Sequence, residues 1–143
     1  MPRINGLIDP ITVVGTRGDD GTTKPQQLNR VTEILTATDD DSTSFTLAAE
    51  DIKKGINIHT SVTGAGTVTV DTAANIISKI PLTADGQSIV SYYINDGNQT
   101  ATFAVATGTT IADVGNTVLT NEAAVLLWRR TSSTAVVLYI VSS

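Results

Sequence analysis

The sequence predicts an all-β fold, a jelly-roll-like β-sandwich with one short helix and an extended N-terminal arm. Three observations predict it. Apolar, β-branched runs recur along residues 29–143, separated by turns rich in Gly, Asp, Asn and Ser. Only Thr72 to Ile80 carries a helical period of any length. Threonine, suited to the solvated face of a sheet, occurs about two dozen times, while charged residues make up only 16% of the chain.

Met1 to Leu28 holds Pro2, Pro10 and Pro25, several glycines and one short apolar run, Ile11-Thr12-Val13-Val14. Proline removes ladder donors and glycine raises the cost of ordering, so residues 1–28 read as an extended arm that lies on a neighbour. The sandwich domain then spans residues 29–143. Val31 to Ala37 reads as its first strand, ended by the like charges of Asp39-Asp40-Asp41. Thr43, Phe45 and Leu47 share one face of the next. Ala48 to Gly55 reads as one helical turn, with acids early, lysines late and a glycine to close it.

Ile56 and Ile58 resume a strand, with Asn57 and His59 on its other face. Val62 to Gly66 is a turn, and Thr67-Val68-Thr69-Val70 alternates at period two. Asp71 caps the helix Thr72 to Ile80, whose Ala73, Ile76, Ile77 and Ile80 fall on one face before Pro81 stops it. Ser88 to Asn95 makes a strand that turns at Asp96-Gly97 and returns with Ala101, Phe103 and Val105 pointing inward, a hairpin. Thr109 to Ile111 and Asn116 to Leu119 are shorter strands. Ala123 to Thr131 and Thr134 to Val141 form a closing pair joined through Ser132-Ser133.

The last strand has Val136, Leu138 and Ile140 on one side and Val137, Tyr139 and Val141 on the other. Neither side is polar, so both are expected to be covered. One side meets the core. The other is expected to meet a second subunit or the N-terminal arm.

Composition points away from catalysis. With no cysteine there is no disulfide scaffold, thiolate zinc site or thiol nucleophile. With one histidine there is no imidazole pair within a chain. A net charge of −5, from nine Lys and Arg against fourteen Asp and Glu, argues against a nucleic-acid groove. No apolar run approaches the roughly 18 residues of a membrane span, and no targeting signal is visible.

Individual motifs are weak. Arg17-Gly18-Asp19 and the glycosylation pattern Asn98-Gln99-Thr100 are short enough to arise by chance. Asp39-Asp40-Asp41, even with Asp19 and Asp20, lacks the spacing of a calcium loop. Gly64-Ala65-Gly66 lacks the third glycine and following helix of a dinucleotide site. His59 has no selected nucleophile or acid partner and reads as a surface or interface residue. No enzyme, cofactor or metal is expected. Arg129 and Arg130 interrupt an apolar strand and project to opposite faces, so one of them is a candidate for an ion pair across a subunit boundary.

Several segments together resemble a known group. They are Phe45-Thr46-Leu47-Ala48-Ala49-Glu50-Asp51-Ile52-Lys53-Lys54-Gly55-Ile56, Val70-Asp71-Thr72-Ala73-Ala74-Asn75-Ile76-Ile77, Gly86-Gln87-Ser88-Ile89, Ile94-Asn95-Asp96-Gly97, Val125-Leu126-Leu127-Trp128-Arg129 and Val137-Leu138-Tyr139-Ile140. In this order they resemble the capsid decoration (cement) proteins of tailed bacteriophages, across roughly Ser42 to Val141. The resemblance implies a jelly-roll-like homotrimer on the outer face of the virion head, holding capsomers of the major capsid protein together, with neither nucleic acid nor membrane as partner. Subunit contacts are then expected at Ile11, Val13, Val14, Trp128, Arg129 and Tyr139. The alternative is a receptor-binding module of a tail fibre, spike or head fibre, which calls for exposed aromatic residues.

Overall fold

The computed structural model describes residues 34–60, 64–112 and 115–142, and the backbone of two short strands nearer the N-terminus. The chain divides into two compact units, Met1–Ile34 and Leu35–Ser143. In the first, β1 (Thr16–Arg17) pairs antiparallel with β2 (Thr23–Lys24).

In the second unit the chain winds between two sheets. β3 (Thr36–Asp40) lies in one and β4 (Phe45–Leu47) in the other; after α1 (Ala49–Lys54), β5 (Gly55–His59) pairs parallel with β3. β6 (Gly66–Val70) then pairs parallel with β4. After α2 (Ala73–Lys79) the cycle repeats: β7 (Ser88–Asn95) pairs parallel with β5, and β8 (Ala101–Ala104) parallel with β6.

The chain then changes direction. β9 (Thr109–Ile111), β10 (Thr117–Val118), β11 (Glu122–Ser132) and β12 (Ala135–Ser142) complete the sheets, with β10 antiparallel on β8 and β11 antiparallel on both β7 and β12. The sheet orders are β9-β12-β11-β7-β5-β3 and β10-β8-β6-β4.

The expected all-β jelly roll is therefore corrected to a mixed α/β fold with two mixed sheets and two helices. The reason is topological. Parallel neighbours cannot be joined by a tight turn and need a crossover; α1 with β4 carries the chain from β3 to β5, and α2 with β6 carries it from β5 to β7. The expected hairpin between Ser88–Asn95 and Ala101–Val105 is corrected with it, because β7 and β8 lie in different sheets. Asn95 redirects the chain there. Its buried amide donates to the Gln99 carbonyl at 2.7 Å and the Val118 carbonyl at 3.0 Å, and its oxygen accepts from the Gly97 N–H at 3.1 Å.

Local sequence explains the elements. Gly55 closes α1 with φ 101°, a left-handed conformation that favours glycine. Thr72, rather than the expected Asp71, caps α2, its hydroxyl accepting from Asn75 N–H at 3.3 Å. Asp71 instead braces the two helices: one oxygen accepts from Ala49 N–H at 2.9 Å, the other from Thr72 N–H and the Asn75 amide, both at 2.7 Å. Burial alone would push this carboxyl up, but the bonds from Ala49, Asn75 and Thr72 outweigh it and hold it below its ordinary value. β3 begins at Thr36 and carries Asp39 and Asp40 inside the strand. The turn follows, with Asp40 accepting from Ser42 N–H at 2.9 Å.

One core lies between the sheets and under the helices. Leu47, Ile52, Val68, Val70, Ile76, Phe103, Leu126, Trp128 and Leu138 are fully buried there. Polar side chains share it, since Asn57, His59, Ser91 and Asn95 are buried too. Most of these polar groups meet a partner; among the described residues Asn57 is the exception, its amide donating to the Tyr92 carbonyl at 3.4 Å while its Oδ1 is buried without a partner. Trp128 Nε1–H donates to Ser91 Oγ at 3.0 Å.

Candidate functional site

The histidine comes first, as the lone imidazole of the chain. The sequence reading placed His59 at a surface or interface; it is corrected to a core residue, 2% exposed. The Tyr93 hydroxyl lies 2.6 Å from Nδ1, and the Ser42 carbonyl 2.8 Å from Nε2. The consistent arrangement has the phenol donating to Nδ1 and Nε2–H donating to the carbonyl, which uses both ring nitrogens. The Phe45 ring stands edge-on to it at 4.9 Å. Burial, and secondarily the Asp40 charge, push the Tyr93 phenol well above its ordinary value. Gly66 makes room for the assembly, since a Cβ there would strike the Thr43 carbonyl oxygen and the imidazole. This cluster is structural polar packing, with no nitrogen left to abstract a proton.

Other features offer little chemistry. A wide trough beside β8 is lined by Thr67, Thr102, Ala104, Ile111 and Asn116, none of them titratable. No group of three or more His, Asp or Glu among the described residues could hold a metal ion. No helix among the described residues is long and apolar enough to cross a membrane.

The distinctive feature is a surface. Strands of the six-stranded sheet turn alternate side chains to the core, and the register lines up the remaining ones in rows across the outer face. One row runs Ala37, Ile56, Tyr92, Val125, Val141. Beside it lie Asp39, Ile58, Ile94, Ala123 on one flank and Val90, Leu127, Tyr139 on the other. The last row is Ser88, Arg129, Val137, Thr110. The middle is apolar and the ionic groups, Asp39 and Arg129, stand at the margins.

Among the described residues, α1, α2 and the second sheet pack on the opposite side and leave this face open. Val90 is 43% exposed, Tyr92 42%, Val125 38% and Val141 61%. A shallow trough runs between Tyr92, Val125 and Val141. The other sheet provides the contrast. Its outer face is Thr46, Thr67, Thr69, Thr102 and Thr117 with Ala104, Thr69 lying between Thr46 and Ala104 and Thr102 between Thr67 and Thr117. That is a sheet face built for water.

Among the residues expected at subunit contacts, Arg129 and Tyr139 lie on the apolar face, Arg129 exposed and Tyr139 half-buried. Trp128 does not: it is fully buried in the protomer's own core. Ile11, Val13 and Val14 lie outside the described residues. The two arginines do project oppositely. Arg130 pairs with Asp85 at 2.9 Å within the protomer and donates to the Leu82 carbonyl at 2.6 Å, pinning the loop before β7.

Sequence reasoning missed Ile56, Ile58, Val90, Tyr92, Val125 and Leu127 as surface residues. The signal was present in Ser88–Asn95, which is apolar on one face and mixed on the other, as the closing strand is apolar on both. In β5 the polarity is inverted, with Asn57 and His59 inside and the isoleucines outside. No protein-family model, curated protein or solved structure matches this chain.

Proposed function

We propose that the protein is a structural assembly component without catalytic activity, which decorates the outer surface of a tailed-phage head as a homo-oligomer and strengthens contacts between major capsid protein capsomers. The observation that carries the assembly reading is the pair of outer faces, one covered in threonine and the other in Val, Ile, Leu and Tyr. A chain that builds one solvated sheet face and one apolar face of similar construction is made to have the second covered. The resemblance of Ser42 to Val141 to decoration proteins supplies the shell. Repetition by symmetry then makes individually weak contacts strong without a deep pocket.

The test is direct. Purified protein mixed with phage heads lacking their decoration protein is expected to co-sediment in a saturable way and to raise the temperature at which the heads release DNA. No co-sedimentation at about 100 μM, weaker than most specific contacts, contradicts the shell reading. Binding to host-cell receptors in its place would favour the fibre alternative.

A further inference from the structure

We propose that the open outer face of the six-stranded sheet is the contact between copies of this chain. The inference deepens the assembly reading and rests on it only for the claim that the protein works as an oligomer. It commits to one occupant, a second copy.

Size is the first argument. Six strands at about 4.8 Å spacing, with about seven residues each at about 3.3 Å rise, make a face on the order of 700 Å² in projection. Stable interfaces bury about 600–1,000 Å² per partner, so a fully covered face falls within the range that holds two copies together.

Anatomy is the second. The centre, around Ile56, Val90, Tyr92, Val125 and Leu127, is apolar, while Asp39, Ser88, Arg129 and Thr110 mark the margins. An apolar middle inside a polar rim is how subunit interfaces are built.

Self-complementarity is the third. The middle of the face presents no ionised side chain for a charged partner to match. Its β-branched side chains are suited to interdigitate with another sheet face, as stacked sheets do. Asp39 and Arg129 have opposite charges and stand in the two outermost rows, Asp39 on the edge strand β3 and Arg129 on the interior strand β11. A symmetric pairing, in which each copy offers the same patch, can set one against the other.

The test uses the full chain in sedimentation. Wild type is expected to run as two or more protomers, and Thr67→Glu, on the opposite sheet, to run as wild type. Val90→Thr, Val125→Thr and Val141→Thr combined, which keep side-chain shape and strand preference, are expected to weaken association at least about tenfold. If the triple variant loses its circular-dichroism signature, Val125→Thr alone is read in the same way and is expected to weaken association about threefold. A single protomer for wild type at about 100 μM, or undiminished association of the folded variants, overturns the inference. Association without head binding would sink the shell reading alone; head binding by a wild-type single protomer would sink only this inference.

Discussion

Trp128→Ala is expected to lower the unfolding free energy by about 3–5 kcal/mol, a large part of the total stability of a small domain. The indole is fully buried between Leu138 and Ile89 on the neighbouring strands, and its N–H is satisfied by Ser91. Truncation opens a cavity in the centre of the sheet and leaves the serine hydroxyl in an apolar environment without its donor. Urea unfolding followed by circular dichroism measures the loss. A loss below about 1 kcal/mol, with a fall in oligomer mass instead, would return Trp128 to the interface where the sequence suggested it.

His59→Ala comes second, with an expected loss of about 3–4 kcal/mol, from a cavity and from one buried and one part-buried partner left without it. Those partners are the Tyr93 hydroxyl and the Ser42 carbonyl. Tyr93 then carries a buried, unpaired phenol beside Phe103, whose ring centroid lies 4.9 Å away. Tyr93→Phe should cost less, about 1–3 kcal/mol, because the imidazole stays in place and only one nitrogen loses its partner. Should His59→Ala unfold at the same urea concentration as wild type, the imidazole would be a solvated surface group and the polar core described above would be wrong.

These two residues also show where sequence reading stops. Ser88–Asn95, the closing pair, the helical turn ended by Gly55 and the helix after Asp71 were legible, since each is set by local period or turn chemistry. Parallel pairing was not. The winding repeats, but the step from Ala37 to Ile56 is little more than half that from Ile56 to Tyr92. A repeat of uneven length leaves no fixed period to detect.

At Asp96-Gly97 the chain does turn, but into the other sheet and not into a hairpin. Turn residues specify a reversal, while the sheet that receives the next strand depends on Asn95 reaching Val118, far along the chain. His59 failed for the converse reason. An alternation of Ile with Asn and His favours the polar side outward, because inward polarity needs partners that sequence does not display. Tyr93 and the Ser42 carbonyl are those partners. With the histidine inside, Ile56 and Ile58 turn outward and extend the apolar face across β5.

The absence of cysteine in the chain allows the most direct measurement of whether that face is covered by a second copy. Val125→Cys and Thr67→Cys each introduce a single thiol, one on the apolar face and one on the threonine face. Labelling with a bulky maleimide is followed at about 0.1 μM and about 100 μM protein, a span chosen to cross the range of ordinary subunit affinities. The thiol at 125 is expected to react quickly in the dilute sample and at least about tenfold more slowly in the concentrated one, while the thiol at 67 reacts alike in both. Rapid labelling at position 125 at both concentrations, or slow labelling at both, would contradict the account: the first leaves the face open, and the second has the chain cover it alone.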